Sequence, residues 1–332
     1  MPERDIVVPS GMDGIDDIAA MATHAEDHGY DRISLPEVTG RDGVTLLAIL
    51  ADRTDDIGLS NDVFSPWGRS PAVLGQTGVT LQEASDGRYR MGLGASSPDL
   101  TEKWHLAEFD RPLRRLRETV ELVKQVTSGE RVDYDGEFFD GGGLQLRGVD
   151  SAEVPVDVAA LGPKAVELAG RFADGWVPQL FTPEALEDRL SDFRRGAELG
   201  DRDPADLRVA VTVRSCVLDD PERARDVARR QLAFMIGAYG PYYRQSIAEQ
   251  GFADATETIH DAWTDGDRIE AIDAVTDGMV DRLVAVGTRE TAEERLRCYE
   301  DIDGVDAVRL GFFGEMTDDE RRRTTEALAP AP

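Results

Sequence analysis

The sequence predicts an α/β protein built as a (β/α)8 TIM barrel with insertions, and three observations support this prediction. Short β-rich runs alternate with amphipathic stretches along 332 residues, a length that suits one large barrel. The β-rich runs number eight, which is the strand count of such a barrel. No Gly-x-Gly-x-x-Gly motif follows the first run, which argues against the competing open sheet that binds dinucleotides.

The predicted strands are aliphatic or β-branched runs bounded by glycine, proline or polar residues. They cover residues 5–9, 32–35, 57–61, 89–94, 154–160, 176–178, 207–217 and 307–311. Apolar residues at helical spacing indicate the helices, and the first is expected over 13–28 with Asp13 as its N-cap. Four later helices begin with proline at the favoured first position, at Pro71, Pro112, Pro163 and Pro183.

Two stretches fall outside this repeat. Residues 127–151 are rich in glycine and aspartate and predict a hairpin, with strands at 132–134 and 137–139 around a turn at Asp135-Gly136. Residues 237–287 predict a helical insertion, whose length and aromatic content suggest a lid or a subunit contact. No linker divides the chain, so residues 1–332 are expected to form one domain.

The chain is strongly acidic, with 66 Asp and Glu against 37 Lys and Arg and a formal net charge of −29. Such a field repels phosphate backbones, so no nucleic-acid partner is expected. Concentrated salt relieves the self-repulsion, because the Debye length falls to about 3 Å at molar ionic strength. The pattern is typical of proteins from salt-accumulating halophiles such as haloarchaea, with an ordinary acidic enzyme as the alternative.

Signals for export, membrane insertion and metal binding are missing from the sequence. No apolar run reaches the ~18 residues of a membrane span, and the N-terminus lacks the pattern of a signal peptide, so a cytoplasmic protein without a membrane partner is expected. Among the four histidines, His24 and His28 stand one helical turn apart and are expected as a surface pair. His105 and His260 have no partner at metal-ligand spacing, and no metal site is predicted.

The turn Gly162-Pro163-Lys164 is a candidate anion site. It lies where the fifth strand should pass into its helix, and backbone N–H groups at a helix N-terminus bind anions. A lysine in the first turn opposes the helix dipole unless an anion is present, and Lys164 is one of only three lysines in the chain. An ordinary strand-to-helix turn with a surface lysine is the alternative.

The segment after the third strand, residues 61–71, combines proline, glycine and aromatic residues, which predicts a rigid loop at the barrel mouth. Val63, Pro66, Arg69 and Pro71 form a Val-x-x-Pro-x-x-Arg-x-Pro motif within it. Ala-Ser-Asp-Gly-Arg follows at 84–88, and Met-Gly-Leu-Gly at 91–94. This stretch resembles the luciferase-like flavin and deazaflavin oxidoreductases.

The resemblance continues through most of the chain in the right order. Residues 158–163 and 169–176 are similar to the family's phosphate turn and Ala-Asp-Gly strand entry. Residues 286–290 and 304–306 resemble its C-terminal segments. Gly40-Arg41-Asp42 resembles the branch of methylenetetrahydromethanopterin-reductase-like enzymes, which use the deazaflavin coenzyme F420.

This resemblance implies coenzyme F420 as the cofactor and a homodimer formed through barrel helices. It implies a cis peptide bond between Asp62 and Val63 behind the deazaflavin ring, with a phosphate at the turn after the fifth strand. The cofactor-binding residues that it implies are Asp62, Val63, Ala95, Ser96, Leu161, Gly162, Pro163, Lys164, Pro178 and Gln179.

The end of the second strand departs from the family pattern. Related enzymes often carry Asp-His or Glu there, whereas this chain has Pro36-Glu37. Glu37 is predicted either as a desolvated catalytic acid that protonates or orients the substrate, or as a cap of its own loop. Trp67 and Trp104 are predicted as walls of a substrate pocket, with simple packing as the alternative.

The leading hypothesis is therefore an oxidoreductase that moves a hydride between C5 of coenzyme F420 and a small organic substrate. An FMN-dependent monooxygenase of the same family is the first alternative, because both ring systems use the same barrel mouth. A flavin-binding protein without turnover is the second, because the strand-two histidine and an immediate strand-four carboxylate are missing.

Overall fold

The computed structural model describes residues 2–9, 11–12, 14–149 and 152–331. Within these residues eleven strands form, and eight of them are the predicted ones. Their bounds are β1 Glu3–Val7, β2 Arg32–Leu35, β3 Gly58–Asn61, β4 Tyr89–Gly94, β5 Asp133–Asp135, β6 Asp140–Gly142, β7 Val156–Ala159, β8 Gly175–Trp176, β9 Arg208–Val217, β10 Val284–Gly287 and β11 Ala307–Gly311.

The predicted barrel is confirmed by the strand pairing. Parallel neighbours run in the order β1-β2-β3-β4-β7-β8-β9-β11, and β11 pairs with β1 to close the circle. The pairing of β8 with β9 excludes the open sheet, because it joins the two halves of the chain. β10 lies outside the circle and pairs with the carboxyl half of β9.

Thirteen α-helices in the described residues surround or extend the barrel. They are α1 Ile15–Asp27, α2 Gly43–Arg53, α3 Pro71–Ala84, α4 Pro112–Thr127, α5 Pro163–Phe172, α6 Pro183–Leu199, α7 Pro221–Gly237, α8 Pro241–Ile247, α9 Ala253–Asp265, α10 Arg268–Asp273, α11 Asp277–Leu283, α12 Arg289–Glu300 and α13 Asp318–Ala327. The four predicted proline starts are confirmed. Asp13, expected as the first N-cap, lies outside the described residues, and Gly14 precedes α1.

Alternation along the strands separates two environments. Apolar residues such as Ile6, Ile33 and Met91 are fully buried toward the helices. Burying each of these side chains stabilises the fold by about 1.5–3 kcal/mol. The residues between them face the barrel interior and are unusually polar, as Asp5 and Arg32 exemplify.

Ion pairs fill the amino-terminal half of the barrel interior. Arg208 donates to Asp5 at 2.8 Å, and Arg90 donates to Asp157 through two hydrogen bonds of 2.5 and 2.9 Å. Burial alone would raise the pKa of Asp157, but the charge and hydrogen bonds of Arg90 outweigh it and hold that pKa below its usual value. The amino-terminal half of the barrel interior is therefore a layer of paired charges.

Glycine residues leave space for the charged ends of these side chains. A Cβ on Gly58 would lie 2.6 Å from Arg32 Nη1, and one on Gly175 would lie 2.2 Å from Asp157 Oδ1. Both distances are too short for any side chain. The glycines of these two strands are therefore required by the arginine and aspartate beside them.

The hairpin forms, but its second strand differs from the prediction. Asp133 pairs with Gly142 and Asp135 with Asp140, so residues 136–139 make the turn and are not a strand. The cause is the buried carboxylate of Glu118, which accepts hydrogen bonds from the backbone N–H groups of residues 137, 138 and 139. These N–H groups are consequently not available for strand pairing.

The insertion is helical over most of its predicted range. α7 continues to Gly237, and α8–α11 follow with a π-helical segment at Ala248–Phe252. The expectation of helix to residue 287 is wrong at its end, because Val284–Gly287 is strand β10. All four residues of β10 are buried against β9, and a short apolar run can form either element.

None of the helices in the described residues has the length and apolar character needed to cross a membrane.

Candidate active site

The predicted cofactor residues lie on one arc of the barrel mouth. They follow the carboxyl ends of four strands that are neighbours in the sheet, β3, β4, β7 and β8. Residues 62–63 follow β3, 95–96 follow β4, 161–164 follow β7 and 178–179 follow β8. Parallel strands have their carboxyl ends at the same edge of the sheet. The predicted cofactor residues therefore lie close together although the first and last of them are more than a hundred positions apart in the sequence.

The end of β3 carries the cis peptide bond between Asp62 and Val63, as the resemblance implies. Asp62 Oδ1 lies 3.2 Å from Nη2 of Arg309, which reaches it from β11 across the barrel. Arg309 is buried, and its Nη1 has no hydrogen-bond partner among the described residues. The Asp62 carboxylate is therefore the nearest counter-charge to a buried arginine.

β3 and β4 approach each other closely beneath this bond. Asn61 donates to the carbonyl oxygen of Gly92 at 2.6 Å and accepts from its N–H at 3.1 Å. A Cβ on Gly94 would lie 2.6 Å from Cγ2 of Val63. Val63 thus occupies the space that any side chain at position 94 would need.

Ala95 and Ser96 follow the end of β4 directly after Gly94. Ser96 has a φ of +62°, which is unusual for a residue other than glycine. Its hydroxyl is buried and has no hydrogen-bond partner in the described part of the chain. Buried polar atoms in proteins are nearly always satisfied, so this hydroxyl marks a position where a ligand group would be accommodated.

The turn after β7 is open. α5 begins at Pro163 with Gly162 as its N-cap, and no side chain caps its first turn. Gly162, Pro163 and Lys164 are exposed, and a Cβ on Gly162 would meet nothing within 4 Å. By contrast, α3 and α6 have Ser70 and Thr182 as side-chain caps. The N-terminus of α5 is thus available to an anion.

The end of β8 contacts the insertion. The carbonyl oxygen of Pro178 accepts from the N–H of Thr212 at 2.8 Å, and the Gln179 side chain donates to the Tyr243 hydroxyl at 2.6 Å. The rings of Tyr239 and Tyr243 pack edge to face, 5.6 Å apart. α8 of the insertion is therefore attached to the mouth through Gln179.

Both carboxylate oxygens of Glu37 are hydrogen-bonded. It forms a bidentate ion pair with Arg69, whose second hydrogen bond is 2.9 Å long, and it accepts from the N–H of Gly43 at 2.8 Å. Arg69 also donates to Asp42 at 2.6 Å. Burial lowers the pKa of Arg69, but Glu37 and Asp42 outweigh it and leave that pKa above its usual value. These contacts favour the alternative in which Glu37 caps its loop.

The two tryptophans have different surroundings. Trp67 stacks on Phe109 with centroids 5.2 Å apart, and its Nε1 donates to the Glu108 carbonyl oxygen at 3.1 Å. Arg115 lies over its ring at 5.4 Å. Trp104 is 57% exposed at the end of a π-helical turn, Leu100–Trp104. The contacts of Trp67 agree with the packing alternative, and Trp104 lies on the surface near the mouth.

Sequence reasoning missed three mouth residues. Arg214 on β9 donates to the Phe312 carbonyl oxygen at 2.9 Å and forms no ion pair with a described carboxylate; burial lowers its pKa. Arg309 faces Asp62, as above. His105 covers Gly68, and burial lowers its pKa although Glu37 is close by. The sequence did carry a signal for the two arginines, because each is a polar residue within an otherwise apolar strand.

Parallel barrels carry their active sites at the carboxyl ends of their strands, so this mouth defines a ligand-binding (β/α)8 barrel. The chain belongs to the luciferase-like monooxygenase family, whose model matches residues 5–306.

Individual relatives agree with this membership. A 5,10-methylenetetrahydromethanopterin reductase of Archaeoglobus fulgidus is 32% identical over 276 residues, 82% of each chain. An F420-dependent glucose-6-phosphate dehydrogenase of Rhodococcus erythropolis is 28% identical over 81% of this chain and 86% of that protein. The structure of a coenzyme F420 dependent tetrahydromethanopterin reductase from Methanopyrus kandleri superimposes with a TM-score of 0.83 at 20% identity, covering 99% of this chain and 97% of that one. The last comparison supports the fold.

Proposed function

We propose that this protein is a coenzyme F420-dependent oxidoreductase that transfers a hydride between the coenzyme and a small organic substrate. The observation that carries the proposal is the similarity, across more than four-fifths of the chain, to relatives named for F420-dependent reactions or for reduction of a methylene-pterin. When bound, the coenzyme supplies the hydride chemistry at its C5 atom.

The residues present fit such a cofactor. A phosphate suits the uncapped N-terminus of α5, where Gly162 leaves open space and Lys164 supplies a positive charge. The unpartnered Ser96 hydroxyl and the Asp62–Val63 segment would face the ring, with Ala95 beside them. Leu161 and Pro163 complete the phosphate turn, and Pro178 and Gln179 would line the cofactor tail.

The remaining arc of the mouth, from β9 through β11 and β1 to β2, is assigned to the substrate. Arg214 and Arg309 provide positive charge there, and Arg309 lies 3.2 Å from the Asp62 carboxylate at the edge of this arc. Glu37 holds Arg69 in place and is a positioning residue in this account. His105 keeps a neutral imidazole near the same rim, because burial lowers its pKa, and a neutral imidazole can give or accept a proton.

Three broader assignments belong to the same proposal. The charge of −29 and the scarcity of lysine support a halophilic, archaeal source and a cytoplasmic location. The family resemblance supports a homodimer, the negative charge argues against a nucleic-acid partner, and the lack of a long apolar run argues against a membrane partner. Light scattering after gel filtration in molar KCl tests the dimer, and a single species of monomer mass would contradict it.

The cofactor is tested by equilibrium titration. The folded protein, purified in molar KCl, is titrated with oxidised F420 and separately with FMN, and the cofactor fluorescence is followed. Saturable binding of F420 at one site per chain, with FMN at least roughly tenfold weaker, is expected. Tighter binding of FMN would favour the monooxygenase alternative. Binding of neither cofactor by folded protein would contradict both enzymatic assignments.

A further inference from the structure

Two histidines and a glutamate meet on the outside of the barrel, far from the mouth. His24 and His28 stand one turn apart on α1, with ring centroids 4.3 Å apart and ring planes inclined by 50°. Glu326 on α13 faces them, and its Oε1 lies 3.6 Å from His24 Nε2. One ligand atom from each of the three residues lies within 4.8 Å of the others. Half of the chain's four histidines are in this cluster.

The backbone fixes the imidazole ring of His28. Nδ1 of His28 lies 2.7 Å from the carbonyl oxygen of His24. A carbonyl oxygen only accepts, so Nδ1 carries the proton and Nε2 keeps its lone pair. Histidines that ligate metals usually donate their other ring N–H to a carbonyl or carboxylate in this way.

One ring nitrogen of His24 is unsatisfied. Its Nε2 is buried and has no hydrogen-bond partner among the described residues, and its side chain is only 14% exposed. Nε2 lies 3.6 Å from Oε1 of Glu326, so this nitrogen is on the side of the ring that faces the cluster. A buried nitrogen without a partner calls for a ligand.

We propose that His24, His28 and Glu326 bind one divalent transition-metal ion, with Zn²⁺ as the best fit and water completing its coordination. Two imidazole nitrogens and a carboxylate suit zinc, cobalt or nickel, whereas calcium and magnesium prefer oxygen ligands. Ligand atoms around a tetrahedral zinc ion are about 3.3 Å apart. His24 Nε2 and Glu326 Oε1 are 3.6 Å apart and all three ligand atoms lie within 4.8 Å of one another, so side-chain rotations that move these atoms by up to about 1.5 Å would bring them to this spacing.

The ion would join the two ends of the chain. α1 follows β1 and α13 follows β11, and these two strands pair to close the barrel. A metal that binds only the folded protein stabilises it by mass action, because the site does not exist when α1 and α13 separate. The expected role is thus a structural clamp that is independent of any chemistry at the mouth.

The test uses full-length protein stripped with a chelator, in molar KCl with excess Mg²⁺ to occupy surface carboxylates. Zn²⁺ is titrated by calorimetry and Co²⁺ by its visible absorption. One equivalent bound with micromolar affinity and a rise in Tm of roughly 2–5 °C on saturation are expected. Neither F420 nor substrate is present, so the outcome does not depend on the proposed function.

Substitution of each proposed ligand tests which residues form the site. His24→Gln and His28→Gln should each abolish the one-equivalent binding, and Glu326→Gln should weaken it roughly tenfold. His260→Gln on α9 is the matched control and should bind like the parent protein. Glu326 is the exposed ligand, so its variant tests the site even if a histidine variant does not fold. Undiminished binding by His28→Gln, or no one-equivalent binding by the parent protein, would overturn the proposal.

Discussion

At the scale of single residues, Arg69 connects three segments of the mouth. It belongs to the loop before α3, pairs with Glu37 after β2 and reaches Asp42, the N-cap of α2. Its guanidinium also lies over the Phe64 ring, 4.7 Å from the centroid. One arginine therefore sets the relative positions of the loops after β2 and β3.

This role predicts strong coupling between Glu37 and Arg69. In a double-mutant cycle with Glu37→Gln, Arg69→Gln and the double variant, the free energies of unfolding should show a coupling of about 1–3 kcal/mol. The physical reason is that each single variant leaves a partly buried charge with fewer partners. Denaturant unfolding at a constant KCl concentration measures this coupling free energy. Additive effects would indicate that Glu37 is not held by Arg69 and would restore it as a candidate acid.

Lys164 offers a second prediction, for cofactor affinity. Lys164→Gln should weaken F420 binding roughly tenfold, because a charge-assisted hydrogen bond to phosphate contributes about 1.5–3 kcal/mol and salt reduces it. Lys103→Gln is the matched control, since Lys103 is exposed and pairs with Asp99 on the surface. Fluorescence titration gives both dissociation constants. Equal affinities for the two variants would remove Lys164 from the cofactor site.

Individual features of the site could be predicted where a sequence motif or a turn identified them. The cis bond at Asp62–Val63 and the uncapped first turn of α5 are two such features. Arg309 and Glu326 could not be predicted, because their partners come from distant parts of the chain. An arginine in a strand and a glutamate on a surface helix have no local signature that names such partners.

At the scale of elements, the contact between β3 and β4 depends on glycine. Gly94→Ala would bring Cβ to 2.6 Å from Val63 Cγ2, so Val63 must move. Overpacking of this kind costs about 1–3 kcal/mol. We expect reduced F420 affinity together with a lower Tm.

The control for this prediction is Gly314→Ala, because a Cβ at Gly314 meets nothing within 4 Å. It should leave both the F420 dissociation constant and the Tm close to those of the parent protein. An unchanged F420 affinity in Gly94→Ala would contradict the placement of the ring beside Val63.

The hairpin after α4 depends on the buried Glu118 carboxylate. Burial raises the pKa of Glu118, but the N–H groups of residues 137–139 and Arg114 outweigh it and leave that pKa below 4.5. Its contribution to stability is therefore complete above pH 4.5 and is lost as the pH falls through the native pKa. Glu118→Gln should destabilise the protein by about 1–3 kcal/mol at neutral pH.

The pH dependence provides the check. The stability difference between the parent protein and Glu118→Gln should shrink below pH 4.5, because the parent carboxylate is then protonated as well. Glu130→Gln, an exposed change of equal charge, should show almost no difference at any pH. A deficit of Glu118→Gln that stayed constant with pH would show that the ionised form is not what holds the turn.

Strand and helix positions were largely predictable, because each carries its own local signal. Pro71, Pro112, Pro163 and Pro183 begin helices as expected, and β2 and β4 match their predicted bounds. The second hairpin strand was misplaced because Glu118 binds the backbone there. β10 was missed because four apolar residues do not distinguish a strand from a helix.

At the scale of the whole molecule, the large net charge predicts that stability depends on salt. The charge of −29 makes the folded chain repel itself wherever salt does not screen it. We expect the Tm to rise by roughly 10 °C or more between about 0.2 M and about 3 M KCl, as the Debye length shortens. Differential scanning calorimetry measures this. A Tm that is independent of KCl would contradict the halophilic assignment while leaving the fold and site untouched.

The most direct test of the central claim is a turnover assay run in parallel with and without oxygen. Protein loaded with F420 is mixed, in oxidised and reduced form, with a methylene-pterin, a sugar phosphate and a secondary alcohol, and the coenzyme's absorbance is followed. We expect at least one substrate to change the redox state of F420 at a rate that oxygen does not affect. Turnover only with FMN and oxygen would contradict the account, and binding of F420 without turnover would favour the non-catalytic alternative.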